Sequence, residues 1–450
     1  FSIRVNVYGK EGEPVGDPVS DIIVDNVGVN GNIDKSDPEQ TFITGTDPNN
    51  YIWYSGKLWR AISIDPTDNS VKMVTQWPEV IIGRSFAKDW LNDTSVDGFL
   101  GNLREPENFI KMDSKWNATA TGELTKPDKT TMIEQAVGLI SVYEYVMTCN
   151  GTSYSKGYLN NSMGMITITA YPGFSDLRVI HDAGIDPPVG NFNVFGVRPT
   201  IILKPDVKIV SGTGTESDPY RLSGDNDSNL NGVKLNTRYS GEYISFGTGE
   251  NNLYRIVSHE ISNLTKITSA DPLKENNEFK KVQFDSYNSN NELYSTSVKI
   301  GSFLNNDYLN LSNGYLTSEQ VNMIEDNTTW YLGRIDSDSD TYKLAKYKND
   351  TGDTLVTQIT TAKVGMLRYG ELLAGQFVEH TNSINYWLIT PNEKTNHEVN
   401  LISEYGGQSM NGWDPYEFAG VKPTMNLKEN VIITSGDGTK NNPFTIKLSS

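Results

Sequence analysis

The residues able to carry chemistry are few and scattered. Arg60 and Arg255 sit in phase with aliphatic neighbours: Leu58, Arg60, Ile62 and Ile64 share one face of an extended segment, as do Leu253, Arg255 and Val257. An arginine in an apolar row must be paired or stand at a rim. Glu144 and Glu371 recur at matching places in the chain, so structural ion pairs Arg60–Glu144 and Arg255–Glu371 are expected, with an exposed strand end as the alternative. Asp336, Asp338 and Asp340 alternate in IDSDSDTY, an oxygen-rich run of the sort calcium takes. No glycine stands at the sixth position and Tyr347 occupies the twelfth, which excludes an EF-hand and favours a solvated acidic turn. Asp225 and Asp227 repeat the same weak calcium signal.

The four histidines, His181, His259, His380 and His397, have no second histidine at zinc-ligand spacing. No metal and no cofactor is expected beyond that calcium signal. The single cysteine, Cys149, excludes an internal disulfide and reads as a buried small hydrophobe. Gly83-Arg84-Ser85-Phe86 lacks the second glycine of a nucleophile elbow. The glycine-bearing stretches 211–214 and 247–249 lack the Lys-Ser/Thr of a phosphate loop. No carboxylates form a recognisable acid–base pair, so the chain is not expected to be an enzyme; a hydrolase with an unrecognised carboxylate site is the outlying alternative.

The elements that must position these residues come in two copies. Residues 196–220 read GVRPTIILKPDVKIVSGTGTESDPY, and residues 420–444 read GVKPTMNLKENVIITSGDGTKNNPF, without a gap. Such a match points to a duplicated domain, in which shared positions serve folding and divergent ones can serve function. Tyr51-Ile52-Trp53-Tyr54 answers Tyr243-Ile244-Ser245-Phe246, and Leu58–Ile62 answers Leu253–Val257. Val71–Thr75 is matched to Leu264–Thr268, giving each copy an antiparallel opening. The middle reads as more helical. Trp90-Leu91-Asn92 parallels Phe303-Leu304-Asn305, and Thr317 or Ser318 caps a helix. Val137–Ile140 with Glu144, and Val364–Leu367 with Glu371, each read as a short strand running into a helix.

The predicted organisation is an N-terminal β segment or arm at 1–48, one repeat at 49–223, a polar linker at 224–238 and a second repeat at 239–450. Ile3, Val5 and Val7 alternate as in a strand that could complete a neighbouring sheet. The formal charge of −18 disfavours nucleic acid and anionic membranes. No apolar stretch is long enough to insert into a membrane. No signal peptide is visible before the strand-like start at Phe1, so a leader or anchor is expected to have been removed or left out. Abundant Asn, Asp, Ser, Thr, Gly and Tyr suit a turn-rich extracellular or cell-surface protein.

The motif order resembles a tandem domain of surface and secreted proteins from Gram-positive-type bacteria. The residues that carry the likeness are Trp59-Arg60, Trp90-Leu91-Asn92, Val137-Gly138-Leu139 with Tyr143-Glu144-Tyr145, Gly196-Val197-Arg198-Pro199, Trp387-Leu388-Ile389-Thr390-Pro391 and Gly436-Asp437-Gly438-Thr439. They cover about residues 50–448. That family is similar to C-type-lectin-like folds, which implies an α+β chain of two duplicated C-type-lectin-like domains with twisted antiparallel sheets, preceded by a short β segment. Copy one departs from the pattern, having Met165-Ile166-Thr167-Ile168-Thr169 where the Trp strand belongs, and the lone cysteine rules out paired-cysteine oxidase chemistry.

The copies diverge most just before the GVRP and GVKP strands. Arg178, His181, Asn191 and Phe192 fall there in copy one, and Tyr405, Asn411, Trp413, Asp414 and Tyr416 in copy two. Gly, Asn and aromatics make such loops adaptable ligand contacts. The expected function is therefore non-enzymatic, adhesin-like binding of a glycan or protein ligand on another cell. The alternative is a structural subunit of an extracellular filament, pilus or surface layer, whose partners would be neighbouring copies joined through the N-terminal strand.

Overall fold

The computed structural model describes residues 16–77, 79–80, 90–94, 98–149, 156–160, 164–173, 177–181, 184–186, 196–224, 230–261, 263–287, 293–332, 359–368, 371–372, 384–391, 398–402 and 413–449. Two compact units divide the chain: Phe1–Glu79 with Leu103–Ser228, and Val80–Asn102 with Asn229–Ser450.

In the first unit, a ten-stranded sheet runs through Tyr51–Tyr54, Lys57–Ile64, Val71–Thr75, Pro199–Leu203 and Gly138–Leu139. The second unit repeats those five strands in the same order, as Tyr243–Ser245, Leu253–Ser258, Thr265–Ser269, Thr424–Leu427 and Val364–Gly365. A further set also recurs. Met165–Ala170 pairs antiparallel with Leu177–His181 and parallel with Gly196–Val197. Tyr386–Pro391 likewise pairs antiparallel with Val399–Ile402 and parallel with Phe418–Gly420.

Particular residues dictate this shared frame. In each unit a tryptophan lies on a glycine: an added Cβ at Gly138 would meet the Trp116 ring at 2.3 Å, and one at Gly365 the Trp330 ring at 2.7 Å. Both indole N–H groups donate to backbone carbonyls, of Gln135 at 2.9 Å and of Ala362 at 3.0 Å. The closing hairpins turn at Gly214 and Gly438, with φ of 75° and 78°, a left-handed conformation that glycine adopts without strain. There a side chain would strike the ring of Tyr220 or Phe444.

The structure is mostly β, with 40% strand and 15% helix spread over many small sheets, so the α+β, C-type-lectin-like expectation is corrected. The segments read as helical are short. Val142–Thr148 has seven residues and Ser318–Met323 has six. Both begin at a capping box, with Ser141 and Thr317 as caps. Helices this short draw their stability from packing rather than propensity.

Residues flanking the predicted repeats are also built into the units. Asp17–Pro18 pairs with Lys208–Ser211, and Val19 is buried behind it. In the second unit Lys234 bridges to Ile432, the Ile433 amide donates to Val233 at 2.9 Å, and Leu235 is buried. Residues near 17–19 and 233–235 thus fill equivalent places, inside their units. What the first unit adds is a hairpin, Gly31–Asp37 with Gln40–Gly45, pairing onto Lys57–Ile64. The second unit has only residues 238–242 between Leu235–Thr237 and Tyr243–Ser245.

Candidate recognition surfaces

The expected Arg60–Glu144 and Arg255–Glu371 pairs do not form. Arg60 is cross-strand from Tyr51, and its guanidinium lies 3.6 Å from the centre of that ring and 4.6 Å from that of Tyr158. Its Nε donates to Asn50 Oδ1 at 2.6 Å, and Asp47 is 3.6 Å away. Arg255 repeats the arrangement over Tyr243 at 4.5 Å and donates to the Gly241 carbonyl at 3.0 Å. The two glutamates take lysines instead.

Glu144 pairs with Lys72, and Glu371 with Lys266 at 2.6 Å. Each glutamate also caps a backbone amide, Ser141 at 2.9 Å and Arg368 at 2.8 Å. Burial opposes ionisation of Glu144, but the Lys72 ammonium and the hydrogen bonds at the helix start outweigh it and hold the carboxyl low. Around Lys266 a second carboxylate, Glu260, shares the ammonium and accepts from Arg368 at 3.3 Å. Burial and the nearby Glu260 charge push Glu371 up. These groups are built into the cores as structural pairs.

Of the loop residues, Asn191, Phe192, Tyr405 and Asn411 lie outside the described residues, as does the side chain of His181. So do Asp336, Asp338, Asp340, Asp225, Asp227 and the N-terminal strand Ile3–Val7. Arg178 is buried, with its guanidinium donating to the Glu123 carbonyl at 2.7 Å, so it holds a loop rather than facing a ligand. Cys149 is buried, and burial pushes its thiol up to about 11, away from nucleophilic chemistry. Among the described residues no three His, Cys, Asp or Glu side chains converge as a metal site. Among the described residues no helix is long and apolar enough to cross a membrane.

Trp413, Asp414 and Tyr416 come together in the second unit. Trp413 exchanges both backbone hydrogen bonds with Val399 at 3.0 Å and rests its side chain on the core, which fixes the segment. Tyr416 donates its hydroxyl to Asp414 Oδ2 at 2.7 Å, a bond that pushes the phenol up to about 12. The ring of Tyr287 stands 4.7 Å from that of Tyr416 and is 74% exposed. Phe418, cross-strand from Gln283, is 58% exposed. Gln283 Nε2 ties the Tyr416 carbonyl at 2.6 Å, and the Asp285 amide ties Pro415 at 2.8 Å. Tyr287 and Tyr416 thus form an aromatic ledge with a carboxylate beside it, and Phe418 is exposed two residues further on, the segment being held by backbone bonds. Tyr287 escaped the sequence reading, although it sits in the Asn- and Ser-rich stretch DSYNSNN, the same composition that marked the other loops.

The first unit carries a cleft of about 660 Å³. Its walls come from the inserted hairpin on one side and the Lys115–Asn117 and Met132–Glu134 strand pair on the other, with Lys72 and Glu144 among its lining. No family model, no curated protein and no solved structure matches the chain.

Proposed function

We propose that this chain is a non-enzymatic, adhesin-like recognition protein of the bacterial cell surface or its exterior, presenting the Tyr287–Tyr416–Phe418 ledge to a glycan or protein ligand. The exposed aromatic ledge is the observation that carries the reading. Large aromatic side chains left in water on a backbone-tied segment offer flat contact at low ordering cost. Asp414 adds a directional acceptor beside them. The ion pairs, the cysteine and Arg178 all serve packing. A composition rich in Asn, Ser, Thr and Tyr supports an extracellular setting.

A combined glycan and protein array, probed with the full chain, tests this. The wild type gives reproducible hits, the ligands are recovered intact, and Tyr416→Ala with Phe418→Ala removes at least one of them while the chain stays folded. Unchanged signal in that variant removes the ledge, and cleaved ligands remove the non-enzymatic reading.

A further inference from the structure

We infer that the cleft of the first unit is a second binding site, and that it takes a neutral oligosaccharide. This extends the recognition reading to a surface that the repeat alone would not supply. The cleft exists because of an element found in one copy only: the hairpin Gly31–Asp37 and Gln40–Gly45, inserted ahead of Tyr51–Tyr54. The insertion is cross-tied to the opposite wall. Lys126 Nζ reaches Asp37 at 2.6 Å and Glu39 at 2.7 Å, Lys129 reaches Glu39 at 2.7 Å, and the Tyr143 hydroxyl donates to Asp37 at 2.9 Å. Four contacts on one hairpin turn hold the walls apart at a fixed spacing, which is preorganisation for a ligand.

The lining chemistry selects the class. Lys72 is neutralised by Glu144, Lys111 by Asp68, and Lys126 and Lys129 by the hairpin carboxylates, and the other charges in the lining, Lys115 against Asp65 and Asp113, are of both signs. An ionic ligand of either sign meets its own charge in this lining as well as the opposite one, so net attraction is small. A hydroxyl both donates and accepts, so it can join paired charges without disturbing them. Met132, 42% exposed, and Pro127 offer apolar surface to the C–H face of a sugar ring. The volume falls within the roughly 300–1,000 Å³ of small-ligand sites.

Isothermal titration of the full chain with a panel of neutral oligosaccharides, and with a matched uronate-bearing panel, tests the assignment. At least one neutral member binds, and Lys115→Ala with Met132→Ala, both exposed positions that tie no wall, weakens it by roughly tenfold or more. The ledge variant Tyr416→Ala with Phe418→Ala leaves this binding unchanged. Silence across the neutral panel, preference for uronates, or undiminished binding in the cleft variant each overturns the inference. If array signal through the ledge persists in those cases, the cleft alone falls. If saccharide binding survives while the ledge variant keeps all array signal, the ledge alone falls.

Discussion

Glu144 and Glu371 each serve two partners, the backbone amide three residues before them and the ammonium of a lysine on the sheet. Their surroundings differ in depth. The Lys266 and Glu371 side chains are 2% and 3% exposed, against 15% and 7% for Lys72 and Glu144. Removing one member of a buried pair strands the other charge, at a cost of about 3–5 kcal/mol. Lys266 keeps Glu260 when Glu371 is neutralised, whereas Lys72 loses the carboxylate paired with it, so chemical denaturation should show Glu144→Gln losing more stability than Glu371→Gln; equal or reversed losses would contradict this sharing of Lys266.

A pH effect belongs to the same scale. Burial opposes ionisation of Asp37, yet the bonds from Lys126, the Glu39 amide and Tyr143 outweigh it and lower the carboxyl below its ordinary range. A carboxylate lowered on folding contributes stability that is present above its unfolded value and lost as pH falls through the folded one. An NMR titration of the Asp37 carboxyl should place its midpoint below the ordinary Asp range; a midpoint at or above that range would show that the hairpin is not tied. The lysine partners were hidden from the sequence by one residue. Matching Val71–Thr75 to Leu264–Thr268 sets Lys72 against Thr265, whereas the cross-strand register sets Val74 against Thr200 and Thr268 against Thr424, which aligns Lys72 with Lys266. A slip of one reverses every side chain in a strand, so the duplicated lysine went unseen.

Elements were legible where local chemistry decides them. The caps Ser141 and Thr317 stand where their motifs lead, although Ser141 was visible only through the duplicated glutamate three residues on. The closing hairpins follow from the two glycines whose backbones meet an aromatic ring. Helix content was over-read because apolar periodicity in short runs does not separate a helical turn from an extended buried segment. The Trp–Gly contacts could not be read, since each joins residues far apart in sequence. They give a prediction at this scale. Gly365→Ala forces a methyl into the Trp330 ring and should cost about 1–3 kcal/mol by overpacking. Denaturant unfolding that leaves this variant as stable as the wild type would mean the ring can shift freely.

For the whole molecule, the duplication was readable from the shared GVRP and GVKP segments, and the strand order of the two sheets repeats accordingly. The architecture around it was not readable, because a family likeness carried by short motifs says little about how many small sheets the intervening chain will form. Each copy then differs by what is added to the frame. The first gains a hairpin that walls a cleft, and the second exposes aromatic rings beside Asp414. With a charge of −18, long-range attraction favours cationic partners and weakens with salt, whereas contact made mainly through the aromatic rings of the ledge should change little with salt.

The most direct test is interferometry of the immobilised full chain against its strongest array ligand, comparing wild type with Tyr416→Ala/Phe418→Ala at low and physiological salt. Recognition through the ledge requires salt-tolerant binding by the wild type and roughly tenfold or greater loss in the variant. Equal affinity in the two proteins would contradict it.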